Sequence, residues 1–143
     1  MGWWSCTVMG GDEPLDDLGV YGDVLGIKFD IDKEPNLHGY TFTRKMVEAS
    51  IDKLVDAAGN DAVMWQVLGV ILMWAGAGFS DEIRREIINA AHADPWVNEV
   101  GWQSERGGHL EAFIKTVEEY KPGVCVEVQY ESLWDGLAAK LGG

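Results

Sequence analysis

The chain has 143 residues, of which 47% are hydrophobic and 24% are charged, and its formal net charge is -13. A domain of this length removes roughly two thirds of its unfolded surface from water, so the composition excludes a disordered tail and requires no metal or disulfide staple. The excess of acids also argues against direct binding of nucleic acid or of an anionic membrane, because both need clustered Lys and Arg.

The first elements predicted along the chain are a helix and a strand. Acidic residues and Pro14 form a favourable helix start over 12–26, and apolar residues recur there every three or four positions. Ile27, Phe29 and Ile31 then alternate with charged residues, which predicts a half-buried strand over 27–32.

Helices are predicted for most of the remaining chain. Thr43 is a suitable cap for a helix that ends at Gly59. An almost wholly apolar segment over 62–76 predicts a central helix buried on all sides. Ser80 opens a further helix that must end before Pro95. Another apolar pattern, closed by the turn at 121–123, consists of Leu110, Phe113, Ile114 and Val117.

Near the end of the chain, residues 124–130 alternate as a second strand, and a short final helix follows over 133–141. An isolated strand is unstable, so we expect 124–130 to pair with 27–32 in a small two-stranded ladder. The predicted fold is therefore mainly α: one domain over 1–143, with five or six helices around the buried helix 62–76.

Targeting and redox signals are few. Cys6 and Cys125 belong to no metal-binding or redox motif, and the N-terminus lacks a basic segment followed by an apolar one, so we expect a cytoplasmic protein. The apolar stretch 62–79 approaches a membrane-spanning length, but its glycines and the absence of flanking Lys or Arg favour a buried helix and no membrane association.

Motifs for chemistry are largely missing. The glycine-rich segment 76–80 lacks the residues of a phosphate-binding or dinucleotide-binding loop, and Ser80 is better explained as a helix cap than as a nucleophile. Asp30, Asp32 and Glu34 have calcium-loop spacing, but Pro35 stands at the required glycine position. The sequence therefore predicts no catalytic residue, no metal and no cofactor.

Two other features indicate an interaction surface. Residues 1–35 contain eight acids and two lysines, a net charge of -6, which can steer a basic partner or only solubilise the fold. Trp3 and Trp4 are adjacent, so one of them can be exposed as a binding anchor, although both can also pack under the first helix. The candidate partner-binding residues are Trp3, Trp4, Asp12, Asp16, Asp17 and Asp23.

The N-terminal residues also resemble a known group of proteins. Met1, Gly2, Trp4, Asp12 and Asp16 match in register the opening of an uncharacterised family from bacteria and phages, whose members begin Met-Gly-x-Trp and continue to Asn-Asp-x-Ala-x-Asp. This chain has Gly11 and Pro14 where that family has Asn and Ala, and the match covers about the first 25 residues. The resemblance implies a phage or mobile-element context and assigns no activity.

Two functional hypotheses follow. The first is a small acidic protein-interaction module, an inhibitor or immunity-type protein that binds a basic host or toxin protein. The alternative is an enzyme or small-ligand binder whose site is assembled from dispersed residues: Asp12, Asp16, His38, Arg106 and His109. Self-association through exposed aromatic residues is left open.

Overall fold

A computed structural model describes residues 12–30, 32, 37, 39–94 and 103–123, with the backbone alone given for 12–15 and 103–109. These ranges are mainly helical, which confirms the predicted fold class. The helices are α1 (Asp12–Leu25), α2 (Arg44–Ala49), α3 (Ile51–Ala58), α4 (Ala62–Ala75), α5 (Asp81–His92) and α6 (Gln103–Glu119).

Helix α4 is the centre of the core, as the apolar segment predicts. Nearly all of its residues are buried, and it packs against α1, α2, α3 and α5. A Cβ added at Gly69 would lie 2.8 Å from Cγ2 of Ile87 and 3.0 Å from Cζ of Phe113. The missing side chain therefore allows α4 to approach α5 and α6 closely.

Side-chain caps start three of the helices. The Thr43 hydroxyl accepts the N–H of Met46 at 3.3 Å, and the Ser80 hydroxyl accepts the N–H of Ile83 at 3.2 Å, as their positions predict. The carboxylate of Asp61 accepts two backbone N–H groups at the start of α4, at 2.9 and 3.1 Å. Each cap satisfies donors that the first turn of a helix leaves without partners.

The predicted helix from Thr43 to Gly59 is wrong in one respect, because it is divided into α2 and α3 at Ser50. Ser50 has φ -119° and ψ 19°, and its N–H donates to the carbonyl of Val47, three residues back, at 3.2 Å. This hydrogen bond to the third residue back, instead of the fourth, ends α2. Val47, Leu54 and Ala58 are nevertheless all buried, so the apolar face continues across the break.

The strand predicted over 27–32 is also wrong for the residues that the structure describes. Residues 27–30 form no ladder, and the β pairing seen in the described part is an isolated bridge between Leu37 and Tyr40. The second strand (124–130) and the final helix lie outside the described residues. No helix within the described ranges is both long enough and apolar enough to cross a membrane.

Candidate interaction surface

One face of α1 carries two of the acids singled out in the sequence. Asp16, Val20 and Asp23 are four and three positions apart, so they lie on one side of the helix, and all three are exposed. Val20 is 45% exposed, which is unusual for an aliphatic side chain on this fold. Leu18 and Tyr21 on the opposite side are fully buried. Helix α1 therefore presents an acidic stripe with an apolar residue in its middle.

Asp17 belongs only partly to this stripe. It is half-buried, and its Oδ2 atom is shielded from solvent. Burial raises the pKa of the Tyr21 hydroxyl, and the nearby carboxylates of Asp17 and Asp61 raise that pKa further. The Tyr21 hydroxyl donates to the carbonyl of Met64 at 2.7 Å. Asp17 is thus close to the contact between α1 and α4 instead of projecting freely into solvent.

The end of α1 leads directly to an exposed aromatic residue. Gly26 has φ 71°, and the N–H groups of Gly26 and Ile27 donate to the carbonyls of Asp23 at 3.1 Å and Gly22 at 2.8 Å. These two bonds form a Schellman motif, which reverses the chain after the helix. Phe29, two residues farther on, is 62% exposed.

The Phe29 ring packs against neighbouring residues, although it is largely exposed. It makes an edge-to-face contact with Tyr40, with 5.6 Å between ring centroids, and Tyr40 in turn lies 6.3 Å from Phe42. A Cβ added at Gly39 would fall within 2.9 Å of three atoms of the Phe29 ring, Cδ2, Cε2 and Cζ. The N–H of Asp30 donates to the carbonyl of Gly39 at 2.7 Å. Phe29 is therefore held in place against the 37–42 segment.

Tyr40 connects this aromatic group to α1. Its Cδ1 and Cε1 atoms would each lie 2.7 Å from a Cβ added at Gly22, so the phenol ring packs directly on the helix backbone. The two glycines of α1 that weaken its helical propensity, Gly19 and Gly22, are the positions where Tyr40 lies. Phe29, Tyr40 and the exposed face of α1 thus belong to one continuous part of the molecule.

Sequence reasoning placed Phe29 inside the protein, because its alternation with Ile27 and Ile31 is typical of a half-buried strand. The observation that opposes a strand is the side chain of Asp30, whose Oδ1 accepts the N–H of Asp32 at 3.0 Å. This Asx turn competes with a strand ladder for the backbone. Asp30 and Asp32, which have the spacing of a calcium-binding loop, were the signal in the sequence that the chain turns here.

Four exposed carboxylates belong to the described part of this region: Asp16, Asp23, Asp30 and Asp32. The ion pairs among the described residues lie elsewhere, between Arg44 and Glu48 at 3.2 Å and between Arg84 and Asp81 at 4.0 Å. Lys28 is the exposed cation next to Phe29. We call the surface formed by these four acids with Val20 and Phe29 the α1 surface.

Several residues singled out in the sequence cannot be placed on this surface. Trp3, Trp4 and His38 lie outside the described residues. Asp12 is the first residue of α1, and Arg106 and His109 lie in the first half of α6, all three by their backbone only. The described residues contain no group of three or more His, Cys, Asp or Glu side chains able to hold a metal ion.

A second polar cluster surrounds the segment 76–80 between α4 and α5. Glu48 accepts the N–H of Gly78 at 2.6 Å, and Tyr120 donates its hydroxyl to the carbonyl of Ala77 at 2.7 Å. The Gly78 N–H lowers the pKa of Glu48, with a further lowering from Arg44. The Gly123 N–H also donates to the carbonyl of Gly76 at 2.9 Å. These groups bind backbone atoms and so hold the segment to α2 and α6.

Arg84 completes this junction. Its guanidinium lies 5.2 Å from the centroid of the Phe79 ring, which stacks on Tyr120 with 5.4 Å between centroids. The same guanidinium donates to the carbonyls of Val117 and Tyr120 near the end of α6. These bonds join α5 to α6. The positive charge of Arg84 is also favourable at the C-terminal end of α6.

Another pair of polar residues, Gln66 and Asp94, is buried between α4 and α5. Gln66 is fully buried, and its Nε2 donates to Oδ2 of Asp94 at 2.7 Å and to the carbonyl of Ala90 at 3.4 Å. Asp94 is also buried. The Oε1 atom of Gln66 has no hydrogen-bond partner within the described part of the chain. This pair lies in the core, away from solvent, and connects α4 to the end of α5.

Comparison of the chain with protein-family models, with curated proteins and with solved structures finds no match.

Proposed function

We propose that this chain is a small acidic protein-interaction module, of the inhibitor or immunity type, which binds a basic protein through the α1 surface. The observation that carries the proposal is Phe29, a large aromatic residue that is 62% exposed although its ring is fixed by Gly39 and Tyr40. An exposed aromatic side chain with a defined position loses little conformational freedom on binding, and such residues dominate the energetics of protein interfaces.

The charge around Phe29 indicates the character of the partner. Asp30 and Asp32 follow the ring along the chain, and Asp16 and Asp23 lie on the exposed face of α1. Carboxylates at the rim of an interface mainly steer association and select partners of opposite charge. A second copy of a chain with a net charge of -13 would be repelled at this surface, which favours a basic partner over self-association.

The inhibitor or immunity role and the phage or mobile-element context come from the sequence and its resemblance, and they remain part of the proposal. The α1 surface supports the protein-binding part of this proposal. Its described groups are carboxylates, an aliphatic and an aromatic side chain, which are suited to holding a protein surface.

Affinity capture with matched variants tests this function. The wild-type protein, Phe29→Ala and the double variant Asp16→Asn/Asp23→Asn are immobilised and exposed to lysate of the natural host at low and high salt, and the bound proteins are quantified by mass spectrometry. The double variant Glu111→Gln/Glu118→Gln on α6 is the control, since it makes the same change in net charge at exposed positions on another helix.

We expect a basic protein that the wild type and the α6 control retain and that Phe29→Ala loses by at least about tenfold, the size of effect typical of an aromatic anchor. With that protein purified, Asp16→Asn/Asp23→Asn should lower the association rate and its dependence on salt more than the α6 control does. Equal capture by all four proteins, with circular dichroism showing that all are folded, would remove the α1 surface as the binding site.

A further inference from the structure

We draw no further inference here: the strongest candidate, the exposed apolar pair of Val20 and Phe29 on the α1 surface, belongs to the binding site already described, and nothing in the described part of the chain shows what covers it.

Discussion

Gly39 determines where the ring of Phe29 lies, because a Cβ at position 39 would fall 2.2 Å from Cε2 of that ring. Gly39 also has φ 92°, a conformation that residues with a Cβ rarely adopt. The exposed aromatic group of the α1 surface thus depends on a residue that itself has no side chain to contact a partner.

We expect Gly39→Ala to displace the Phe29 ring and to weaken partner binding, at a cost in stability of about 1–2 kcal/mol from the positive φ. Gly26→Ala is the matched control, since Gly26 has φ 71° and nothing within 4 Å of an added Cβ. Gly39→Ala should lose more stability than Gly26→Ala in urea denaturation, because it adds displacement of the Phe29 ring from Tyr40 to the cost of the positive φ that the two variants share. Only Gly39→Ala should change the NMR contacts between Phe29 and Tyr40. Identical ring contacts in the two variants would contradict this account.

The two glycines of α1 offer a second pair of variants. An added Cβ at Gly22 would lie 2.7 Å from two atoms of Tyr40, which is held between Phe29 and Phe42, whereas a Cβ at Gly19 would lie 3.4 Å from the Tyr40 hydroxyl oxygen. Gly22→Ala should destabilise the protein by about 1–2 kcal/mol through overpacking. Gly19→Ala should stabilise it by about 0.5–1 kcal/mol through helical propensity.

Urea denaturation of both α1 variants measures the difference directly. If Gly22→Ala proved as stabilising as Gly19→Ala, Tyr40 would be free to move from the helix. The support of Phe29 through Tyr40 would then lose its basis.

The helices could be predicted because their ends carry local signals. Thr43 and Ser80 start helices with side-chain caps, and Gly26 and Gly76 end them in the left-handed conformation. The break at Ser50 could not be predicted, because the apolar spacing continues through it unchanged. Only the backbone torsions of that residue distinguish two helices from one.

The site was harder to predict than the fold. The acids of α1 could be recognised from their composition and spacing, but the partial burial of Asp17 accompanies the packing of α1 against α4, which is a tertiary contact. Phe29 was assigned to the wrong environment because a short alternating pattern does not distinguish a strand from an exposed turn. The close packing of Tyr40 on Gly22 decides the outcome, and it joins positions far apart in the chain.

Glu48 gives a prediction that depends on pH. The N–H of Gly78 lowers the pKa of Glu48 below the ordinary value of 4.5, so the folded protein favours the charged carboxylate. Its contribution to stability is therefore complete above the ordinary pKa and is lost as the pH falls through the lowered pKa of the folded state. We expect Glu48→Gln to reduce the thermal midpoint at pH 7, and the difference from wild type to disappear in acid.

Thermal unfolding followed by circular dichroism from pH 7 to pH 3 measures this effect. Glu86→Gln, which removes an exposed carboxylate from α5, is the control and should show a smaller and less pH-dependent difference. A Glu48→Gln difference that stays constant across the whole range would mean that the contact with Gly78 does not depend on the charge.

The buried pair of Gln66 and Asp94 yields the strongest expected loss of stability. Gln66→Glu keeps the shape of the side chain but replaces the Nε2 donor, 2.7 Å from Oδ2 of Asp94, with an oxygen. Two buried carboxyl groups at this distance cannot both ionise, so one must retain a proton and its pKa in the folded state must rise. Such a group stabilises the fold below its unfolded pKa, near 4, and this stability is lost as the pH rises. We expect a loss of about 3–5 kcal/mol at pH 7 that diminishes towards pH 4.

Exchanging the two groups shows whether the pair itself is responsible. In the double variant Gln66→Glu/Asp94→Asn, the amide at position 94 can donate to the carboxylate at position 66, which restores a donor and an acceptor across the contact between α4 and α5. It should recover part of the stability at pH 7, although the carbonyl of Ala90 still lies 3.4 Å from the Nε2 position and disfavours an oxygen there. A double variant no more stable than Gln66→Glu alone would show that the core rejects a carboxylate at position 66 whatever its partner. The destabilisation would then report burial of the charge and not the hydrogen bond to Asp94.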